Sequence, residues 1–324
     1  MKKNLAFVLG ITPNISFAAG NVALGLNRHM KMTDYDIVIF YSGTLPKQDL
    51  TAFEKIPHVQ LRPFSFPAGF VEHMQKHIPA ASRFRSANAL MTFSHFEIFS
   101  LLKEYRRTVW LDVDTSIQRD LSALADTGSF AITPDTPWTV GNQFAQDIAG
   151  YDMQRPGVCA AVMTATDALP FQQIQDYLWE KTYKYASVIL NADQAVLNLM
   201  LQDFHITPHL LEVARWQCAA WKEQSITARI VHFGTGKKVW NTPEVCNAFP
   251  EWYRTHLDWL DLGGSDFDRT PLHPKGILSE LTQHKTVYKY YLGGLLPLWK
   301  IKKQKDKDTH YLLSCLPVLK VKKR

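Results

Sequence analysis

Two aspartates one residue apart, Asp112 and Asp114, follow directly on the run Thr108 to Leu111, which is β-branched, apolar or aromatic throughout. Such a run reads as a buried strand. Carboxylates at its end need a partner, because withdrawing even one from water costs several kcal/mol. The simplest partner is a hard divalent cation held at the carboxyl end of a central strand, where open α/β sheets place their ligands. Taken alone, Asp-x-Asp also reads as two solvated carboxylates. His232 strengthens the first reading: it sits at a strand end within VHFGTGKKVW and would add a nitrogen donor to two carboxylate oxygens. That set favours Mn²⁺ over Ca²⁺ and leaves coordination positions open for a diphosphate, whereas a lone histidine there would be structural. Gly234 and Gly236 would let the backbone approach phosphates, and Lys238 would supply charge to a departing diphosphate. Asp193 and Gln194 open a helical stretch after Asn191; they read either as a reactive pair or as an N-cap.

These residues need a scaffold. Leu5 to Leu9, Asp36 to Tyr41 and Val59 to Phe64 read as strands, and Phe17 to His29 reads as a helix. That order is βαβ grammar and predicts a mostly parallel sheet covered by helices. Phe66 to Arg85 reads as irregular. Ser86 to Tyr105 reads as a helix, with Phe93, Phe96, Phe99 and Leu102 at three-residue spacing, feeding the strand that ends at Asp112. Phe130 to Thr133 and Gly157 to Thr164 read as strands around a polar loop, Asp135 to Arg155, able to close over a ligand. Leu169 to Tyr185 and Asp193 to Phe204 read as helices, and Arg229 to Phe233 as the last strand.

LDVD, DQAVLN and HFGTGKKVW, in this order, resemble the motifs of GT-A glycosyltransferases of family 8, which includes bacterial lipopolysaccharide galactosyl- and glucosyltransferases and glycogenin. The resemblance spans Asn4 to Asn241. It implies a Rossmann-like GT-A domain, with Asp112, Asp114 and His232 binding Mn²⁺ or Mg²⁺ and Lys238 contacting the phosphates of a UDP-sugar. It places Thr12 and Asn14 at the uracil or ribose, Asp135 at the sugar, and Asp193 with Gln194 near the anomeric carbon. The implied reaction is retaining transfer of a hexose, from UDP-galactose or UDP-glucose, to a lipopolysaccharide, capsule or other cell-surface glycan. The chain departs from the family pattern at His95, where an arginine is frequent, at Arg155-Pro156-Gly157, where Asn-Ala-Gly is frequent, and at Thr12, which replaces an acidic residue. Arg83, Arg85 and Arg155 are candidates for the missing positive charge.

The composition agrees with a globular enzyme: 324 residues, 46% hydrophobic, with four scattered cysteines in no metal or redox spacing. The N-terminal MKKNLAFVLG reads as the first strand, and no apolar run is long enough to cross a bilayer. The net charge of +6 conceals an asymmetry. Eleven Lys or Arg against two Asp after His284 give that segment +9 and leave −3 for the first 284 residues. Within it YLGGLLPLWKIKK, from Tyr291, repeats as YLLSCLPVLKVKK, from Tyr311, at an offset of 20. We expect a catalytic domain over 1–241, a helical extension over 242–284 and a basic, aromatic tail over 285–324. Tyr and Trp beside lysines suit an anionic membrane surface, which predicts peripheral attachment to the cytoplasmic face of a bacterial inner membrane. Nucleic acid is not an expected partner, because the basic residues lack an aromatic stacking platform on a sheet. The competing readings are a sugar nucleotidyltransferase, although LGITPNIS offers only Gly10 for a phosphate loop, and a non-catalytic sugar-binding protein at the membrane.

Overall fold

A computed structural model describes residues 2–82, 84, 86, 88–234, 238–241 and 248–267, together with the backbone of four strands between 286 and 322. The chain divides into two compact units, Met1–Phe267 and Asp268–Arg324.

The first unit is built on a seven-stranded sheet. Its N-terminal part contains β1 (Lys3–Ile11), α1 (Ser16–His29), β2 (Asp36–Tyr41), α2 (Lys47–Glu54), β3 (Val59–Pro63), α3 (Phe70–His77), α4 (Glu97–Ser100) and β4 (Tyr105–Leu111). There follow β5 (Thr115–Ile117), β6 (Phe130–Thr139), β7 (Pro156–Thr166), α5 (Phe171–Tyr185), α6 (Ala192–Asp203), β8 (His209–Leu210), α7 (Val213–Trp216), β9 (Cys218–Ala219), β10 (Ile230–His232) and α8 (Pro250–Asp261). The strand order is β3-β2-β1-β4-β7-β6-β8. From β3 to β4 all pairs are parallel, whereas β7 runs antiparallel to both β4 and β6. A separate three-stranded sheet, β5-β10-β9, hangs from the end of β4.

Strand periodicity sends alternate residues of β1 to opposite cores. Leu5, Phe7, Leu9 and Ile11 pack with α1, while Ala6 and Val8 pack with Phe93, Phe96 and Phe99. Burial on both faces is why this strand is apolar almost throughout. Gly10 is demanded by proximity, since a Cβ there would come within 2.2 Å of Ser94 Oγ and 2.8 Å of Trp110.

Several elements differ from the sequence expectations. The stretch expected as one helix from Ser86 is a 3-10 helix over Ala89–Phe96, then α4, then a 3-10 turn over Leu101–Lys103. The three-residue spacing of its phenylalanines is the period of a 3-10 helix. The segment read as irregular contains α3, anchored by buried Phe70 and Met74 one turn apart. The loop expected from Asp135 is in its first part strand, because β6 continues to Thr139 before a short 3-10 helix over Val140–Gln143.

The extension beyond 241 does not stand apart from the catalytic unit. Helix α8 lies against α1, where the ring of fully buried Trp259 fits over Gly20. Arg28 of α1 pairs with Glu251 at 2.9 Å and with Asp258. The first compact unit therefore extends to Phe267 and includes α8.

The second unit holds β11 (Thr286–Leu292), β12 (Leu296–Lys303), β13 (Lys307–Leu312) and β14 (Leu316–Lys322), an antiparallel meander in sequence order. The repeat reappears as two equivalent hairpins: Tyr291 is opposite Pro297 and Tyr311 opposite Pro317, each beside a register shift. No described helix is long and apolar enough to cross a membrane.

Candidate active site

The end of β4 gathers the expected residues. Antiparallel pairing of β5 with β10 sets His232 opposite Thr115, one residue after Asp114, and Phe233 N donates to Asp114 O at 2.8 Å. A short local sheet thus brings an imidazole distant in sequence onto the Asp-x-Asp corner. Ligand atoms of Asp112, Asp114 and His232 all lie within 4.8 Å of one another.

Each carboxylate divides its oxygens between two tasks. Asp112 Oδ1 accepts hydrogen bonds from Trp110 Nε1 at 2.9 Å and His95 Nε2 at 3.0 Å, while Oδ2 lies 3.7 Å from His232 Nε2. Asp114 Oδ2 accepts a hydrogen bond from Lys238 Nζ, while Oδ1 lies 3.2 Å from the same His232 nitrogen. Two oxygens and one nitrogen therefore converge, with the remaining lone pairs held by protein donors. This donor set fits a divalent cation of the Mn²⁺ or Mg²⁺ kind, and the hydrogen bonds behind it would orient the ligands.

The electrostatics agree. Burial works against ionisation of Asp114, but the His232 and Lys238 charges outweigh it and hold its carboxyl far below the usual range. Asp112 is likewise lowered against burial, chiefly by its hydrogen bond and attraction to His95. Burial opposes protonation of His95, yet Asp193 and Asp112 overcome it and raise its pKa to about 9. His232 is raised against burial by Asp114.

Asp193 and Gln194 sit at the start of α6, both buried. Asp193 Oδ1 accepts from Thr92 Oγ1, and Oδ2, which accepts no hydrogen bond, lies 3.5 Å from His95 Nδ1. Burial raises the Asp193 pKa, opposed by His95 and Thr92. Gln194 Nε2 donates to Asp135 Oδ2 at 2.7 Å, its Oε1 faces Ala160 N at 3.4 Å, and Gln143 Nε2 donates to the same Asp135 oxygen at 3.0 Å. His95 thus joins the cation corner to Asp193, and β7 joins it to Gln194, since Asp112 N donates to Ala161 O at 3.0 Å.

Thr12 and Asn14 leave β1 where β4, its parallel neighbour, also ends; Thr12 Oγ1 donates to Asn14 Oδ1 at 2.7 Å. Gly234 has a role that the sequence did not suggest, for a Cβ there would approach His232 Cε1 to 2.6 Å. Gly236, Arg83 and Arg85 lie outside the described residues. Sequence reasoning missed Trp110, Thr92, Gln143 and Gln217, the last 3.4 Å from His232 Nδ1. Trp110 was legible, because a residue two before Asp112 shares its strand face; Gln217 carried no signal.

Comparison with known proteins agrees with this arrangement. The family description "Glycosyl transferase family 8" matches residues 7–133, from β1 through the Asp-x-Asp corner into β6. That segment is similar to family 8 glycosyltransferases, and the chain as a whole has the GT-A fold. Among solved structures it is similar to the WbbM bifunctional glycosyltransferase in its apo form, at 16% identity and a TM-score of 0.56, covering 81% of this chain and 52% of that one. The chain thus spans about half of that protein's length. It is also similar to the galactosyltransferase LgtC in complex with donor and acceptor sugar analogs, at 13% identity and a TM-score of 0.54, covering 84% of this chain and 99% of that one. An active-site glutamine-to-glutamate mutant of LgtC aligns at 11% identity and a TM-score of 0.53, covering 79% of this chain and 94% of that one. No curated protein matches the sequence.

Proposed function

We propose that this glycosyltransferase moves a hexose from a UDP-sugar, UDP-galactose or UDP-glucose, to a cell-surface glycan acceptor of the lipopolysaccharide or capsule kind, with retention at the anomeric carbon. The observation that carries the reading is the convergence of Asp112 Oδ2, Asp114 Oδ1 and His232 Nε2 at the end of β4, beside Lys238.

Asp112, Asp114 and His232 would hold Mn²⁺ or Mg²⁺, which when bound supplies Lewis-acid stabilisation to the diphosphate leaving group. Lys238, paired with Asp114, is placed to add a second positive charge as the bond to the anomeric carbon breaks. Thr12 and Asn14 would receive the nucleoside. Asp135, held by Gln143 and Gln194, would receive sugar hydroxyls. Gln194 is a poor nucleophile, with its amide engaged at both ends. Attack by the acceptor hydroxyl on the same face as the leaving group therefore suits it better than a covalent intermediate. Asp193, with a buried oxygen that accepts no hydrogen bond, would orient sugar and acceptor.

The tail would attach the enzyme to the cytoplasmic face of the inner membrane. In support, register sets Lys289, Lys300, Lys302, Lys307, Lys320 and Lys322 on one face of the β11–β14 sheet. Each basic residue close to an anionic surface contributes about 1 kcal/mol.

The test is metal-dependent release of UDP from UDP-galactose or UDP-glucose without acceptor. We expect release with Mn²⁺ and its loss in Asp114→Asn. Formation of pyrophosphate from UTP and a hexose phosphate, or sugar binding without turnover, would replace this reading with another.

A further inference from the structure

A second cluster of charge lies away from the catalytic corner. Arg119, just after β5, Arg215 on α7 and Arg229, just before β10, line a cavity of about 550 Å³ together with Glu212, Gln224 and Thr227. Arg215 and Arg229 both lie over the indole of buried Trp216, at 5.3 and 5.5 Å from the ring centroid. The ring holds two guanidinium groups in place before any ligand arrives, which lowers the entropy lost on binding. Arg229 also donates to Asp120 O. Its guanidinium also lies 4.0 Å from the Asp120 carboxylate, whereas Arg119 and Arg215 make no side-chain hydrogen bond or ion pair among the described residues, so three arginines still outnumber Asp120 and Glu212.

None of the cavity's lining residues is among those gathered at the cation corner. Helix α1 begins beside Thr12 and Asn14 and ends at His29, and Lys31 N just beyond donates to Asp120 Oδ1. Arg229 O accepts from Gln118 N in the β5–β10 ladder three residues before His232, so the Cα atoms of Arg229 and His232 lie within about 10 Å, and strand alternation sends the two side chains to opposite faces of β10. The Arg229 guanidinium therefore lies on the face of β10 away from the His232 ring.

Apolar side chains flank the same short elements. Ile226 is 75% exposed, between lining residues Gln224 and Thr227, and Trp221 is 64% exposed three residues earlier. Val213, beside Glu212 and Ala214, is also exposed. Large apolar groups this exposed, grouped with basic ones, mark an interaction surface. Arginine forks match phosphate oxygens in pairs, whereas a free sugar phosphate would leave Ile226 and Trp221 in water. An anionic bilayer offers phosphate and apolar depth together.

We propose that Arg119, Arg215 and Arg229 form a docking site for the phosphate headgroup of an anionic lipid, with Ile226 and Trp221 entering the interface beside it. The site belongs to the folded first unit and is independent of the lysine-rich tail. It rests on the membrane reading above, but not on the transferase reading.

The test uses the full chain and two variants. Wild-type protein is sedimented with vesicles of phosphatidylcholine alone or mixed with phosphatidylglycerol, and compared with the doubly substituted Arg119→Gln, Arg215→Gln. Arg229 is kept because it also holds Asp120. In the second variant a photoreactive benzophenone side chain replaces Ile226. The expected results are tenfold or greater loss of binding to the mixed vesicles in the double variant, with an unchanged melting temperature and unchanged UDP release, and crosslinking from position 226 to lipid only in the mixed vesicles. Equal vesicle binding by wild type and double variant, or no lipid crosslink from position 226, overturns the proposal. So does saturable binding of inorganic pyrophosphate to the arginines with no vesicle effect, which would identify a soluble ligand. If UDP release fails in the wild type while the vesicle results hold, the transferase reading falls and the docking site stands.

Discussion

His95 Nε2 stands 3.0 Å from Asp112 Oδ1, and the other nitrogen of the same ring stands 3.5 Å from Asp193 Oδ2. One buried imidazole therefore links a cation-facing carboxylate to the carboxylate at the start of α6. Its ring also lies 3.9 Å, centroid to centroid, from Trp110, whose indole donates to the same Asp112 oxygen. The sequence resemblance leads to the expectation of an arginine here. A protonated histidine supplies a shorter cation with two donors, and two carboxylates flank it.

Removing that ring should loosen Asp112. We expect His95→Ala to weaken Mn²⁺ binding by about 10- to 100-fold, the usual effect of losing a group that orients a metal ligand. Titration of free Mn²⁺ by electron paramagnetic resonance reads this without turnover. Unchanged Mn²⁺ affinity would mean that Trp110 alone holds the carboxylate.

Gly234 gives a sharper steric case. A Cβ would meet the His232 ring at 2.6 Å from Cε1 and 3.1 Å from Nε2, the nitrogen facing both carboxylates. Gly234→Ala must push the imidazole aside, so Mn²⁺ affinity should fall about tenfold or more, with the thermal midpoint little changed because Gly234 itself is exposed. Retained affinity would show that the histidine is not a ligand.

How much of this was legible can be judged from particular residues. The Asp112 and Asp114 corner was readable because a buried apolar run ending in two charges has few physical outcomes. His232 was readable only beside its glycines, since the antiparallel β5–β10 pairing that delivers it is a contact between segments 115 positions apart. The sheet from β1 to β4 followed from alternating strand and helix patterns, but antiparallel β7 did not, because a strand buried on both faces reads the same in either direction. Phe70 and Met74 of α3 make too short an apolar stripe to rise above the surrounding Pro, His and Arg. The alternating lysines of the tail were visible, and their period of two is the strand signature; Pro297 and Pro317 obscured it.

The α1–α8 contact sets up a contest between propensity and packing. Replacing glycine by alanine inside a helix ordinarily stabilises by about 1 kcal/mol. At Gly20 the new methyl would come within 2.3 Å of Trp259, which is fully buried. Overpacking of that kind costs about 1 to 3 kcal/mol. Gly20→Ala should therefore be net destabilising by denaturant titration, and a gain in stability would show that α8 can slide away from α1.

The same contact carries a pH dependence. Burial opposes ionisation of Glu251, but hydrogen bonds from Arg28 and His29 lower its pKa below the ordinary 4.5. A carboxylate lowered on folding contributes stability above its unfolded pKa and loses it as pH falls through the folded value. At neutral pH, Glu251→Gln should cost about 1 kcal/mol, the scale of a partly buried charge-assisted hydrogen bond rather than of an exposed pair. Below the folded pKa both proteins carry a neutral side chain there, so their denaturation midpoints should converge. Midpoints separated by the same interval at neutral and acid pH would mean that the carboxylate acts through packing and not through its charge.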